Sequence, residues 1–367
     1  MVRAVSASNK LMNNPVKTSD VRLRAVRRWL LIAAAMIFLT LAVGGATRLT
    51  ESGLSIVEWK PVTGVLPPLS ENEWQAEFAK YQTIPQYREL NRGMSLEAFK
   101  VIYWWEWSHR MLARVTGAVF LLPFIFFLWR GAIPQGLRGR LWAIFGAGAA
   151  LGAVGWWMVA SGLAQGVSVS QYRLAFHLTL ACAIYAAVLW TAQQLTPRAR
   201  SETSGRVRTG ALAIAILLLF QIYLGALVAG LDAGLIYNTW PLIDGAIVPS
   251  PERLWFIQPV WRNVFENTLT VQFDHRMVGY AIWLLAILHA NDARRARCET
   301  SGAMILAGAV TVQAALGVVT LLRQAPLLLA LTHQVFAIVV FTIALVHAER
   351  LAHRAVLRLP QSVEQGA

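Results

Sequence analysis

Apolar residues run nearly unbroken at eight places along the chain, roughly 29 to 47, 107 to 129, 141 to 162, 172 to 193, 209 to 230, 274 to 291, 303 to 322 and 328 to 348. At about 1.5 Å of rise per residue, each run is long enough to cross a bilayer as a helix. The pattern between the runs is polar, with two long connecting segments at 48 to 104 and 231 to 272. In the first, Ser70-Glu-Asn-Glu73 has the form of a capping box, and Trp74, Phe78 and Tyr81 follow at helical spacing. This predicts a short amphipathic helix lying on the membrane or over the neighbouring spans. Trp255 to Phe265 is its expected counterpart in the second segment; both are read as aromatic interfacial anchors rather than cofactor contacts.

The pattern also repeats. Gly53 to Trp59 and Gly234 to Trp240 are both six apart, and Gly64 with Pro67 returns as Gly245 with Pro249. The stretch Glu106-Trp-Ser-His109-Arg-Met-Leu-Ala lines up with Gln272-Phe-Asp-His275-Arg-Met-Val-Gly. Gly155 and Gly317 match on the third and seventh runs, and His177 and His333 near the starts of the fourth and eighth. The expected fold is an all-α integral membrane protein of eight transmembrane helices, arranged as two pseudo-symmetric four-helix bundles in parallel repeat. The expected division is a cytoplasmic tail over 1–28, a first half over 29–200, a second over 201–350, and a tail over 351–367.

Composition agrees with a membrane protein: 56% of residues are hydrophobic and 14% charged, with a mean hydropathy of +0.50, too apolar for a soluble domain of this size. Most of the 33 Lys and Arg residues lie in the two tails and in the loops near 130 to 140, 195 to 209 and 292 to 299. By the positive-inside rule, both termini face the cytoplasm and the two long segments face outward. The net charge of +14 is therefore a topology signal, and nucleic-acid binding is not expected. Cys182 and Cys298 sit on different segments at different depths, so neither a disulfide nor a thiolate metal site is expected. The short basic tail runs straight into the first helix through Arg27 and Arg28. That reads as a multi-pass bacterial inner-membrane protein, in preference to a mitochondrial inner-membrane one.

Ionisable residues inside the apolar runs are few and clustered. Glu106, Arg110, Arg114, Asp274 and Arg276 all fall close to His109 or His275, and charge at such depth marks a functional path facing the bundle interior. His109, His177, His275 and His333 lie at similar depth near the outer ends of the even-numbered spans. An imidazole pair in each half is the arrangement that clamps an iron porphyrin inside a four-helix bundle. The arginines are suited to hold propionates by bidentate hydrogen bonds. Only the first half has a carboxylate one turn from its histidine, because Gln272 stands where Glu106 would be. A buried glutamate can take or give protons beside a reacting group; alternatively Glu106 only pairs with Arg110, its i+4 neighbour.

At this point a resemblance appears. Glu106 to Arg114, the loop Thr47-Arg-Leu-Thr-Glu-Ser-Gly-Leu54 that contains Arg48, and histidines on four even-numbered spans of a duplicated bundle resemble the haem A synthase family. The resemblance implies oxidation of the C8 methyl of haem O to a formyl group by successive hydroxylations and loss of water. It implies that His275 and His333, with Arg276, hold a haem b that relays electrons. His109, His177, Arg48, Arg110 and Arg114 would hold the substrate haem, and Glu106 would assist the oxidation. It further implies supply of haem O by a farnesyltransferase-type haem O synthase, and an electron donor that the sequence does not identify. Loop cysteine pairs found in some members are absent from this sequence, as in the proteobacterial and mitochondrial branch.

Two other readings compete. A dihaem b-type cytochrome, for instance a quinol oxidoreductase, is suggested by His289 and His347, each fourteen residues after His275 and His333. Their position at the cytoplasmic edge argues instead for solvated interfacial residues. A repeat-built transporter accounts for buried charge and leaves four level histidines unexplained.

Overall fold

The computed structural model describes residues 15–164, 166–197 and 204–352, and the described residues contain helices and no strand. Eight helices are long: α1 (Pro15–Leu49), α4 (Leu96–Trp129), α5 (Gln135–Ala164), α6 (Gln171–Gln194), α7 (Gly205–Gly230), α10 (Thr268–Arg295), α11 (Thr300–Leu322) and α12 (Leu327–Ala352). Four short ones lie in the long connections: α2 (Glu71–Tyr81), α3 (Pro85–Glu89), α8 (Pro251–Leu254) and α9 (Asn263–Glu266). The residues expected to form the outermost parts of both tails, 1–14 and 353–367, lie outside the described residues.

Seven of the long helices are apolar and long enough to cross a membrane. The eighth, α10, is long enough but carries Asp274, His275, Arg276, His289 and Asp292 along its length, which lowers its hydropathy. Several helices begin earlier than the apolar runs suggest, α1, α4, α5 and α10 by six residues or more. Helix α4 starts at a Ser95 cap, whose side chain accepts from the Ala98 N–H, because its first turns are amphipathic and bury Phe99 and Tyr103. Helix α10 starts at Asn267, whose side chain accepts from the Leu269 N–H.

The capping box at Ser70 forms as expected: Ser70 accepts from the Glu73 N–H while Glu73 reaches back to the Ser70 N–H. Helix α2 lays Trp74, Phe78 and Tyr81 against Phe99, Tyr103, Leu54 and Ile56. Its expected counterpart over Trp255 to Phe265 is not one helix. Pro259 has no N–H to continue a helix from Trp255, and the segment breaks into a single turn at Val260–Arg262 followed by α9.

Helix α1 packs on α4 and α6, α5 on α6, α7 on α10 and α12, and α11 on α10 and α12. The two sets of four meet where α6 packs on α7 and α12, and α1 on α12. One seam differs between the sets: α10 and α11 pack closely, whereas α4 and α5 make sparse contact. At the ends nearest the long connections α4 and α5 are bridged by the first of these, where Trp59 stacks on Trp156 of α5 at 6.2 Å between ring centroids. The main apolar core, including Leu30, Phe124, Leu141, Ile214 and Phe341, lies toward the end of the bundle away from the long connections. The histidines on the outer side of that core are partly accessible among the helices; deeper ones are sealed.

Candidate functional site

Glycine decides where the imidazoles sit. A Cβ placed on Gly44 of α1 would lie 2.8 Å from His109 Nε2, and one on Gly155 of α5 would lie 3.1 Å from His177 Cε1. In the second set, a Cβ on Gly225 of α7 would lie 3.2 Å from His275 Cε1, and one on Gly317 of α11 would lie 2.8 Å from His333 Cε1. Each of the four predicted histidines therefore rests against a glycine of a neighbouring helix, in a notch that a larger residue would close.

Glu106 is 4% exposed and accepts a hydrogen bond from Arg110 Nε through Oε1 at 2.6 Å. Among the described residues no donor reaches its Oε2, which faces Gly53. The corresponding Gln272 is engaged at both ends: Oε1 accepts from Arg276 Nη2 at 2.8 Å, and Nε2 donates to the Ala233 carbonyl at 2.7 Å. A carboxylate in that place has no hydrogen to donate, so the sequence difference becomes a free oxygen in the first set.

The arginines hold the connections in place. Arg110 donates to the carbonyls of Ile56 and Glu58, Arg114 to those of Lys60 and Pro61, and Arg276 to those of Tyr237, Thr239 and Leu242. Arg48 crosses between the sets, bonding the Ala229 carbonyl and pairing with Asp232 at 2.9 Å. The propionates expected from sequence therefore meet guanidinium groups already largely engaged by the main chain. Among the described residues three guanidinium nitrogens remain buried without a partner: Arg48 Nε, Arg114 Nη1 and Arg276 Nε. Arg110 and Arg114 also line a cavity of about 370 Å³ with Tyr103, Trp107, Glu73 and Glu77.

These features fit an iron porphyrin. Imidazoles seated in notches that let the rings approach a helix backbone, and orphaned guanidinium N–H groups, suit iron and carboxylates respectively.

His289 and His347 correct an expectation. They are not solvated: they are 4% and 2% exposed and share an Nε2···Nε2 hydrogen bond of 2.8 Å. Glycine again admits them, since a Cβ on Gly210 or Gly302 would lie 2.9 Å or 2.5 Å from the respective Nδ1. An iron held between two imidazoles needs a nitrogen separation of about twice a 2.0–2.1 Å metal–nitrogen bond, so this pair as placed does not hold one. The sequence reading also missed Gln221 and Gln313. Their side-chain amides lie 3.1 Å and 3.2 Å from the Nδ1 atoms of His275 and His333. The available signal was position: each lies four residues, about one helical turn, before the glycine that backs the same histidine.

The fold and this site define a multi-pass helical membrane protein whose imidazoles are seated against glycines of neighbouring helices. Residues 27–345 match the family described as cytochrome oxidase assembly protein, and the chain belongs to that family. It is 58% identical over 344 residues to a heme A synthase of Rhodopseudomonas palustris strain HaA2, covering 93% of this chain and 94% of that protein. It is 61% identical over 338 residues to that of strain BisB18, covering 92% and 93%. A heme A synthase of Bradyrhizobium diazoefficiens is 59% identical over 333 residues, covering 90% and 92%.

Proposed function

We propose that the protein acts as a haem A synthase, an oxidoreductase that converts haem O to haem A by oxidising the C8 methyl to a formyl group. The observation that carries this reading is the free carboxylate oxygen of Glu106, three residues before His109 on the same helix, at a position where the matched Gln272 is hydrogen-bonded at both ends. The chain divides in this reading into two four-helix halves, 29–200 and 201–350. The first takes the substrate and the second keeps a resident haem b.

His109 and His177 hold the substrate haem in the first half, with Arg48 and Arg114 offering their unpartnered N–H groups to its propionates. Arg110 orients Glu106 through Oε1, which leaves Oε2 to take and return a proton at the carbon being oxidised. Trp59, Trp156 and the main-chain carbonyls pinned by Arg110 close the outer end of this half against water. The sparse seam between α4 and α5 supports entry of an apolar, prenylated substrate from the lipid side. His275 and His333 hold the haem b, which supplies single-electron relay when bound. Helix α10, repeat-mate of α4, spans the membrane in this reading despite its polar residues, because those residues face the bundle. Both termini then face the cytoplasm of a bacterial inner membrane. A haem O synthase supplies the substrate, and the electron donor is a separate component.

The dihaem cytochrome reading loses its main support, since His289 and His347 bond each other. The deciding experiment is chromatography and mass spectrometry of haems extracted from the purified protein after co-expression with a haem O synthase. Haem B together with haem O, a hydroxylated haem or haem A is the expected result. Haem B alone, at two per chain, would overturn the proposal.

A further inference from the structure

Among the described residues three pairs of histidines are backed by glycines, and one of these pairs is also held by glutamines. Gln221 Nε2 lies 3.1 Å from His275 Nδ1 and donates to the His275 carbonyl at 2.8 Å. Gln313 repeats the contact on His333, at 3.2 Å to Nδ1 and 3.0 Å to the carbonyl. On α7 and again on α11, the glycine that receives the ring comes one turn after the glutamine that holds it. The first half has the glycines without the glutamines: four residues before Gly44 stands Thr40, and four before Gly155 stands Leu151. Thr40 bonds the Met36 carbonyl and Thr116 instead, and His177 Nδ1 is buried without a partner. The inner pair also lacks them, with Arg206 and Cys298 four residues before Gly210 and Gly302.

We propose that Gln221 and Gln313 are positioning residues for the resident haem: each engages Nδ1 of its histidine, fixes the ring plane and leaves Nε2 as the nitrogen for iron. This rests on the reading of His275 and His333 as the haem b ligands. A side-chain amide suits the task because it offers a donor at one end and an acceptor at the other. In the metal-free ring the amide N–H serves Nδ1. A ring bound to iron through Nε2 carries its proton on Nδ1 and needs an acceptor. Both Oε1 atoms are buried without a partner in this structure. Turning the amide presents Oε1 to the Nδ1 proton, at the expense of the bond to the main-chain carbonyl. The substrate-side imidazoles have no such clamp, which suits a haem that must leave after oxidation.

The test uses the full-length protein in nanodiscs, with Gln221→Leu, Gln313→Leu, Gln221→Glu and Gln313→Glu. Haem b per chain, its reduction potential and the electron paramagnetic resonance of its ferric low-spin form are read for each. Removing an outer-shell partner is expected to weaken haem retention roughly 10–100-fold in the leucine variants and to raise the potential, because the ligand loses electron donation through Nδ1. The glutamate variants, with a stronger acceptor, are expected to bind haem b at a potential below wild type. Opposite shifts from leucine and glutamate are a signature that a merely structural role would not give. Wild-type potential, spectrum and retention in all four variants overturn the proposal. If the leucine variants come out without haem, the glutamate variants decide: a potential at or above wild type overturns it. A His275→Ala variant that keeps its haem b would instead overturn the functional reading on which the proposal rests.

Discussion

Arg276 donates through Nη2 to Gln272 Oε1 at 2.8 Å, whereas Arg110 meets Glu106 Oε1 through Nε at 2.6 Å. In both places a side-chain oxygen accepts from the arginine one turn on, so Glu106→Gln removes a titratable oxygen and keeps an acceptor for Arg110, whose Nη1 and Nη2 stay on the Glu58 and Ile56 carbonyls. The variant is expected to fold and keep wild-type haem b while haem A formation falls by roughly 100-fold or more, the range of a lost general acid–base group. Quantifying haem O and haem A in extracts checks this; an unchanged rate would remove Glu106 from the chemistry. Arg110→Ala, in contrast, leaves Glu106 buried and uncompensated, and is expected to destabilise the protein by about 3–5 kcal/mol.

The two histidine pairs separate by experiment. His275→Ala and His333→Ala are expected to lose haem b, read from the absorbance of the purified protein. His109→Ala and His177→Ala are expected to keep haem b and lose conversion. Equal loss of haem b from both pairs would contradict the division of labour.

Glycine notches give a test that touches no ligand. Gly317→Ala places a methyl 2.8 Å from His333 Cε1, and displacing the ring is expected to cost roughly 1–3 kcal/mol and to reduce haem b occupancy. Gly308→Ala on the same helix meets nothing within 4 Å and is expected to be neutral or to stabilise by up to about 1 kcal/mol. Thermal unfolding of the two variants with haem absorbance as the probe compares them.

The outer connection carries its own pH dependence. Hydrogen bonds from Lys60 and Lys80 hold the Glu58 carboxyl below the ordinary glutamate value near 4.5. A depressed carboxyl contributes stability that is present above its unfolded value and is lost as pH falls through its folded value. Protection of residues 56–80 in hydrogen exchange is therefore expected to hold from about pH 8 to about pH 5 and to weaken below. The change is small, because these side chains are 35–42% exposed. Protection that already declines between about pH 7 and pH 6 would assign the connection's stability to another group.

Periodicity and charge placement made the long helices readable, because bilayer length and apolar composition leave a helix few alternatives. Levels of the histidines followed from counting residues along those helices. What counting does not contain is the partner on the next helix. His289 and His347 read as solvated because of the polar residues beside them in sequence, yet Gly210 and Gly302 on other helices admit them to the interior. Arg110 and Arg276 read as propionate clamps, while the carbonyls that engage them lie in irregular connections whose path no periodicity gives. The break after Trp255 was readable from Pro259 alone.

The seam between α4 and α5 is loose, while the seam between α10 and α11 is closed. On the proposed division of labour, a first half unsealed along its flank would meet its substrate at the concentration the substrate has in the surrounding lipid, and the volume of the assay buffer would hardly enter. Turnover in detergent micelles should then fall on adding empty micelles at constant substrate, as the substrate is diluted in two dimensions. Rates compared between preparations become meaningful only per mole fraction of haem in the amphiphile phase.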